Sequence, residues 1–172
     1  MIIAVTGHRP NRLGNEYNGV GPYSDYIWIE LSKVIRNFRP KKMISGMAQG
    51  VDTIFAQVAM SMEIPLIAAV PFRGQASKWP AKAQKSYEII LDHPDTDVRI
   101  ITEGPYHKGV YHARDRWMVD NCDKLVAVWN GSESGTGYTV KYAQSTKKQI
   151  ILINPEGWRK NAVHQEGTKR QI

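Results

Sequence analysis

The chain opens MIIAVTGHRPNRLG (residues 1–14), a run of strand-forming residues that stops abruptly in Thr6-Gly7-His8-Arg9-Pro10. Apolar residues without polar alternation suit a strand covered on both faces, as in a parallel sheet. A glycine, an imidazole and a guanidinium directly after such a strand stand where open α/β sheets collect their ligands, at the carboxyl ends of the strands. The rest of the chain repeats the pattern. Apolar segments at 2–6, 42–45, 66–70, 98–102, 125–129 and 150–153 alternate with amphipathic stretches at 23–38, 50–62, 78–91, 111–122 and 138–147. Parallel strands need helical returns on the sheet faces, so the alternation predicts a three-layer α/β sandwich around a mainly parallel sheet.

The helical stretches carry apolar residues at three- and four-residue spacing. In the first these are Ile27, Leu31, Val34, Ile35 and Phe38, ended by Arg39-Pro40. The second carries Val51, Ile54, Phe55, Val58, Ala59 and Met62; the third carries Ala83, Tyr87, Ile90 and Leu91, with Pro80 in its first turn. One domain is expected over residues 1–154. From 155 to 172 the periodicity is lost, and that tail is expected to fray or to pack only through Trp158.

A chain of 172 residues can bury a substantial core without staples, and its single cysteine, Cys122, excludes an internal disulfide and a cysteine-rich metal site. That usage fits a reducing cytoplasm, and no segment approaches the ~20 apolar residues of a membrane-spanning helix. Lys and Arg number 23 against 16 Asp and Glu, a formal charge of +7 that favours anionic partners, although the excess is spread and not blocked. His107 and His112 are five apart, off the spacing that shares a helical face, so no metal site is expected, and no cofactor.

In a parallel sheet the segments that follow the strands converge on one edge. Gly7-His8-Arg9 follows the first strand, SGMAQGVD (residues 45–52) the second, Pro71-Phe72-Arg73 the third, and NGSESGTGYT (residues 130–139) the fifth. In the second segment Gly46 and Gly50 bracket a strand-to-helix turn. Either its amides at Ser45, Gly46, Met47 and Ala48 approach an anion, or the turn is merely tight and Asp52 complements the helix dipole. The later segment, with Asn130, Gly131, Ser134, Gly135, Thr136, Gly137, Tyr138 and Thr139, lacks the Gly-Lys-Ser/Thr ending of a Walker A loop. Its Gly135-x-Gly137 matches only part of a dinucleotide fingerprint, since Val140 stands at the third glycine. Two such turns on one edge predict an anion or nucleotide site, to which Arg9, Arg73, Arg114 and Arg116 bring planar forks.

Five stretches in order, AVTGHRP, SGMAQGVD, PFRGQASKWPAKAQKSYEIIL, ARDRWMVDNCDKLVAVWNG and SGTGYTVKYAQ, resemble the YpsA-like branch of the SLOG superfamily over roughly residues 1–153. The resemblance implies a Rossmann-like domain with a nucleotide-type ligand over the carboxyl edge, held by 46–52 and 134–139 with Gly7, His8 and Arg9 beside them. It also implies a homo-oligomer, for which Trp28 and Trp117 are candidate interface residues. Relatives include LOG phosphoribohydrolases, whose Pro-Gly-Gly-x-Gly-Thr-x-x-Glu motif supplies a catalytic acid. Here Gly135-Thr136 matches the Gly-Thr, but Tyr138 and Thr139 stand where the acid is expected. The expectation is therefore capture of a small nucleotide-derived molecule without catalysis. The alternatives are an N-glycosidase with relocated acids at Asp52, Asp115 or Glu133, and a binder of single-stranded nucleic acid similar to DprA.

Overall fold

The computed structural model describes residues 1–17 and 19–157. Six strands, β1 (Ile2–Gly7), β2 (Lys42–Ser45), β3 (Leu66–Val70), β4 (Thr96–Ile100), β5 (Lys124–Val128) and β6 (Gln149–Ile153), form one sheet in the order β4-β3-β2-β1-β5-β6. All five pairings are parallel, so every strand ends on the same edge. The helices are α1 (Pro22–Phe38), α2 (Val51–Ser61), α3 (Ala81–Leu91), α4 (Val110–Asp120) and α5 (Gly135–Ser145), giving a three-layer, Rossmann-like sandwich.

The sheet separates two cores, and the period-2 alternation of β1 shows how. Ile3 and Val5 join Met43, Leu66, Ala68, Val126 and Val128 beneath α1, α2 and α3, whose Ile27, Leu31, Ile35, Phe55, Val58 and Ile90 close that layer. Ala4 turns the other way, with Ile44, Ala69 and Leu125, towards Met118, Val119 and Ala143 of α4 and α5. Phe55 is fully buried, a placement that contributes roughly 1.5–3 kcal/mol for a side chain of that size. Trp28 and Trp117 are half-buried and pack against these two cores.

Local chemistry sets the element ends. The α1 N-terminus is capped by Glu16, whose carboxylate oxygens accept from the amides of Tyr23 (3.0 Å) and Ser24 (2.7 Å), and Arg39 ends the helix in the left-handed conformation. Most boundaries move by one or two residues from the sequence expectation, and three of the differences have a local cause. β4 runs two residues earlier than 98–102, because register with β3 starts at Thr96 opposite Leu66 while the apolar pair Ile100-Ile101 marks only the strand's end. α5 starts at Gly135 and not at 138, since the Ser134 hydroxyl caps it by accepting from the Gly137 amide at 3.1 Å. Pro80 precedes α3 as its cap residue and is not in its first turn. Trp158 and the tail beyond it lie outside the described residues. No helix among the described residues is long and apolar enough to cross a membrane.

Candidate functional site

β1 lies between β2 and β5, and the chain progresses outward from it in opposite directions, through β2, β3 and β4 on one side and β5 and β6 on the other. Such a reversal opens a crevice at the strand carboxyl ends, because the connections on either side diverge onto opposite faces. Gly7 pairs in register with Val128, and just beyond them the two chains are tied by His8 Nε2 and Asn130 Oδ1, 2.9 Å apart. Asn130 Oδ1 also accepts from the Ser132 amide, so it is an acceptor and His8 Nε2 is the donor. Burial lowers the His8 pKa from its usual value, against the opposing pull of the Asn130 bond.

The crevice is a cleft of about 410 Å³. One wall is Gly7, His8, Arg9, Asn11 and Arg12, from the end of β1 and the short 3-10 turn Pro10–Arg12. A second is Ser134, Gly135 and Thr136 at the α5 N-terminus; the third is Tyr111, His112, Arg114, Asp115 and Met118 of α4; Ala48 and Asp52 complete the floor. The volume suits a small-molecule site. Amides of the first turn of a helix have no acceptor within that helix, so the α5 end presents donors and a positive dipole to the cleft. Arg9 stands over the Tyr111 ring at 5.5 Å, and Arg12 Nη1 donates to Ser132 Oγ at 2.7 Å, which draws the β1 and β5 loops together.

An ionic triad joins the α4 wall to the floor. Arg114 is buried; its Nε donates to Asp115 Oδ1 at 2.8 Å, its Nη1 donates to the Gly46 carbonyl, and that nitrogen lies 3.7 Å from Asp52 Oδ2. Asp52 Oδ2 also accepts from the Ala48 amide at 3.3 Å. Desolvation dominates Asp52 and pushes its pKa up to about 6, with Arg114 and the Ala48 amide opposing. Ser45 Oγ donates to the Asp52 carbonyl and accepts from the Met47 amide, and Gln75 Nε2 donates to the Met47 carbonyl, so the 45–52 turn is bound internally.

Of the residues expected to bind ligand, the structure brings Gly7, His8, Arg9, Ala48, Asp52, Arg114, Ser134, Gly135 and Thr136 onto one cleft. Ser45, Gly46, Met47 and Gly50 do not line it. A methyl on Gly46 would collide with the Arg114 guanidinium, and one on Gly50, at φ 96°, would stand 2.8 Å from the His8 carbonyl oxygen. Both glycines make room for protein. Asn130 braces His8, while Gly131, Gly137 and Tyr138 line a separate hollow of about 280 Å³ with Trp129, Glu133 and Lys141. Thr139 is buried, its hydroxyl donating to the Gly135 carbonyl. Arg73 lies at the surface, 4.0 Å from Glu103. Asn11, Arg12, Tyr111 and His112 line the cleft without having been expected as ligand contacts, and Asp115, expected only as a relocated acid, lines it as well.

A parallel sheet whose strand order reverses at β1, with a cleft of about 410 Å³ at that switch point, defines a Rossmann-like domain. Residues 3–156 match the YpsA family (YspA SLOG), and the chain belongs to that family. It is 24% identical over 149 residues to the SPbeta prophage-derived protein YoqJ of Bacillus subtilis strain 168, covering 77% of this chain and 87% of YoqJ. Its fold is similar to DprA, the DNA processing protein A, of Streptococcus pneumoniae, with TM-score 0.63 and 18% identity. That match covers 95% of this chain but only 56% of DprA, so the chain spans about half of that protein. DprA of Helicobacter pylori, described for its single-stranded DNA binding mode, matches with TM-score 0.60 and 18% identity over 90% of this chain and 65% of that one.

Proposed function

We propose that this chain binds a small nucleotide-derived ligand, an ADP-ribose-like or cyclic nucleotide signal, at the switch-point cleft and holds it unchanged, as a sequestering or sensing protein. The observation that carries the reading is the convergence of Arg9, Arg12 and the first turn of α5 on one cleft of about 410 Å³. Two guanidinium groups and free helix-terminal amides suit phosphate oxygens, and the His8 ring beside them suits a ribose hydroxyl. The absence of hydrolysis rests on the positions that carry the acid in LOG hydrolases. Thr139 is spent on the Gly135 carbonyl, and Tyr138 accepts from Arg116 Nη1 at 3.0 Å. Neither brings a carboxylate to an oxocarbenium-like centre.

One observation favours N-glycosidic cleavage as a second reading: Asp52 and Asp115 both line the cleft. Both are engaged with Arg114, which is why binding is preferred as the primary reading. Glu133 lines the neighbouring hollow instead. Calorimetric titration with ADP-ribose and cyclic dinucleotides, followed by chromatography of the recovered ligand, separates the readings. Stoichiometric binding with intact ligand supports capture; release of free base supports the second reading; heat absent for all nucleotides defeats both. The aromatic group Phe72, Tyr106 and Tyr111 beside Arg9 keeps single-stranded nucleic acid as an outcome to test, by the steep salt dependence such binding shows.

A further inference from the structure

His112 and Tyr138 form a stacked pair in the wall between the two hollows at the sheet edge. Their ring centroids are 4.0 Å apart and the planes differ by 18°. His112 lines the larger cleft, whereas Tyr138 lines the smaller hollow on the other side of the wall. The imidazole therefore stands on the cleft side with the phenol ring behind it, and Arg116 Nη1 fixes the phenol oxygen at 3.0 Å. An exposed side chain ordinarily samples several rotamers; here the backing ring and its guanidinium anchor keep one imidazole plane in place. His112 thus brings to the cleft a flat ring whose plane is set against Tyr138.

Resting on the binding reading above, we propose that His112 is the base-stacking residue of the site, so that the ligand class is one carrying an aromatic nucleobase and not a bare sugar phosphate. The other rings on the cleft are already engaged: the His8 imidazole is buried and tied to Asn130, and Tyr111 has neighbours of its own. Arg9 stands over it at 5.5 Å, and Phe72 and Tyr106 approach it at 6.0 Å each. The phosphate donors lie elsewhere on the cleft, at Arg9, Arg12 and the α5 N-terminus, so base and phosphate are recognised by separate walls of the cleft. Tyr138 acts through His112 as a positioning residue.

Calorimetry with two probes tests this: adenosine 5′-monophosphate, which has a base, and ribose 5-phosphate, which has none. The unaltered protein is expected to bind the nucleotide on the order of tenfold or more tightly, the worth of one base on one ring. His112→Ala removes that advantage while leaving ribose 5-phosphate affinity unchanged, which also shows that the variant is folded; His112→Phe restores it. The assignment is overturned if His112→Ala keeps the advantage or weakens both probes alike. If the unaltered protein binds both probes equally, the base-stacking role fails while the binding reading stands. If it binds neither, the binding reading fails and carries this assignment with it.

Discussion

Arg114 Nη1 lies 3.7 Å from Asp52 Oδ2, and the two side chains are only 6% and 9% exposed. The pair links the α4 wall of the cleft to the first turn of α2, and it converts an otherwise costly buried carboxylate into a supported one. Four consequences follow from it and from the loops it supports.

Arg114→Met leaves Asp52 and Asp115 without their shared counterion and orphans the Gly46 carbonyl. Breaking a buried pair from one side costs about 3–5 kcal/mol, and a loss of that order is expected in urea unfolding. A change below about 1 kcal/mol contradicts the account.

Asp52 titrates near 6 in the folded protein against 3.8 for the ordinary group, because burial penalises its charge. Between those values the folded state holds the extra proton, so the unfolded state binds fewer, and stability falls as pH rises through that window. The contribution is on the order of 3 kcal/mol, absent below pH 3.8 and fully felt above 6. Unfolding free energies of the unaltered protein and Asp52→Asn, compared from pH 4 to pH 7, should diverge with that sign; parallel curves refute it.

Gly46→Ala places a methyl against the locked Arg114 guanidinium. Overpacking of this kind costs about 1–3 kcal/mol, so the variant should melt earlier with no ligand present. If Gly46 served only to admit a ligand, the ligand-free melting temperature would not move.

Arg9 and Arg12 are the cations on the β1 wall of the cleft. Replacing both with Ala is expected to weaken a phosphorylated ligand by at least about tenfold and to flatten its salt dependence, while stability falls by no more than about 2 kcal/mol, the worth of the contacts with Tyr111 and Ser132. Unchanged affinity would move the phosphate site elsewhere.

The central strands were legible because both-face burial leaves continuous apolar runs, as in β1 and β5. β4 was misplaced because it is an edge strand whose Asp97, Val98 and Arg99 are exposed, so no burial pattern marks it. The glycines of the 45–52 turn were visible, but their purpose was not: Gly46 makes way for Arg114, a residue 68 positions on, and only the fold brings the two together. Tyr111, His112 and Asp115 share the cleft because α4 begins on the carboxyl edge after β4. The segments after the first, second, third and fifth strands carry glycines next to polar or basic residues in the sequence, whereas the segment that leads from β4 into α4 has no glycine-rich strand-to-helix turn to mark it.

The most direct test of the cleft is a ¹H–¹⁵N spectrum titrated with adenosine 5′-monophosphate. The account predicts that the amides of Gly7, His8, Gly135 and Thr136 shift first and saturate together. Shifts confined to residues around Arg36, Arg39 and Ile64, which line a shallow hollow away from these turns, or no shifts at millimolar nucleotide, contradict it.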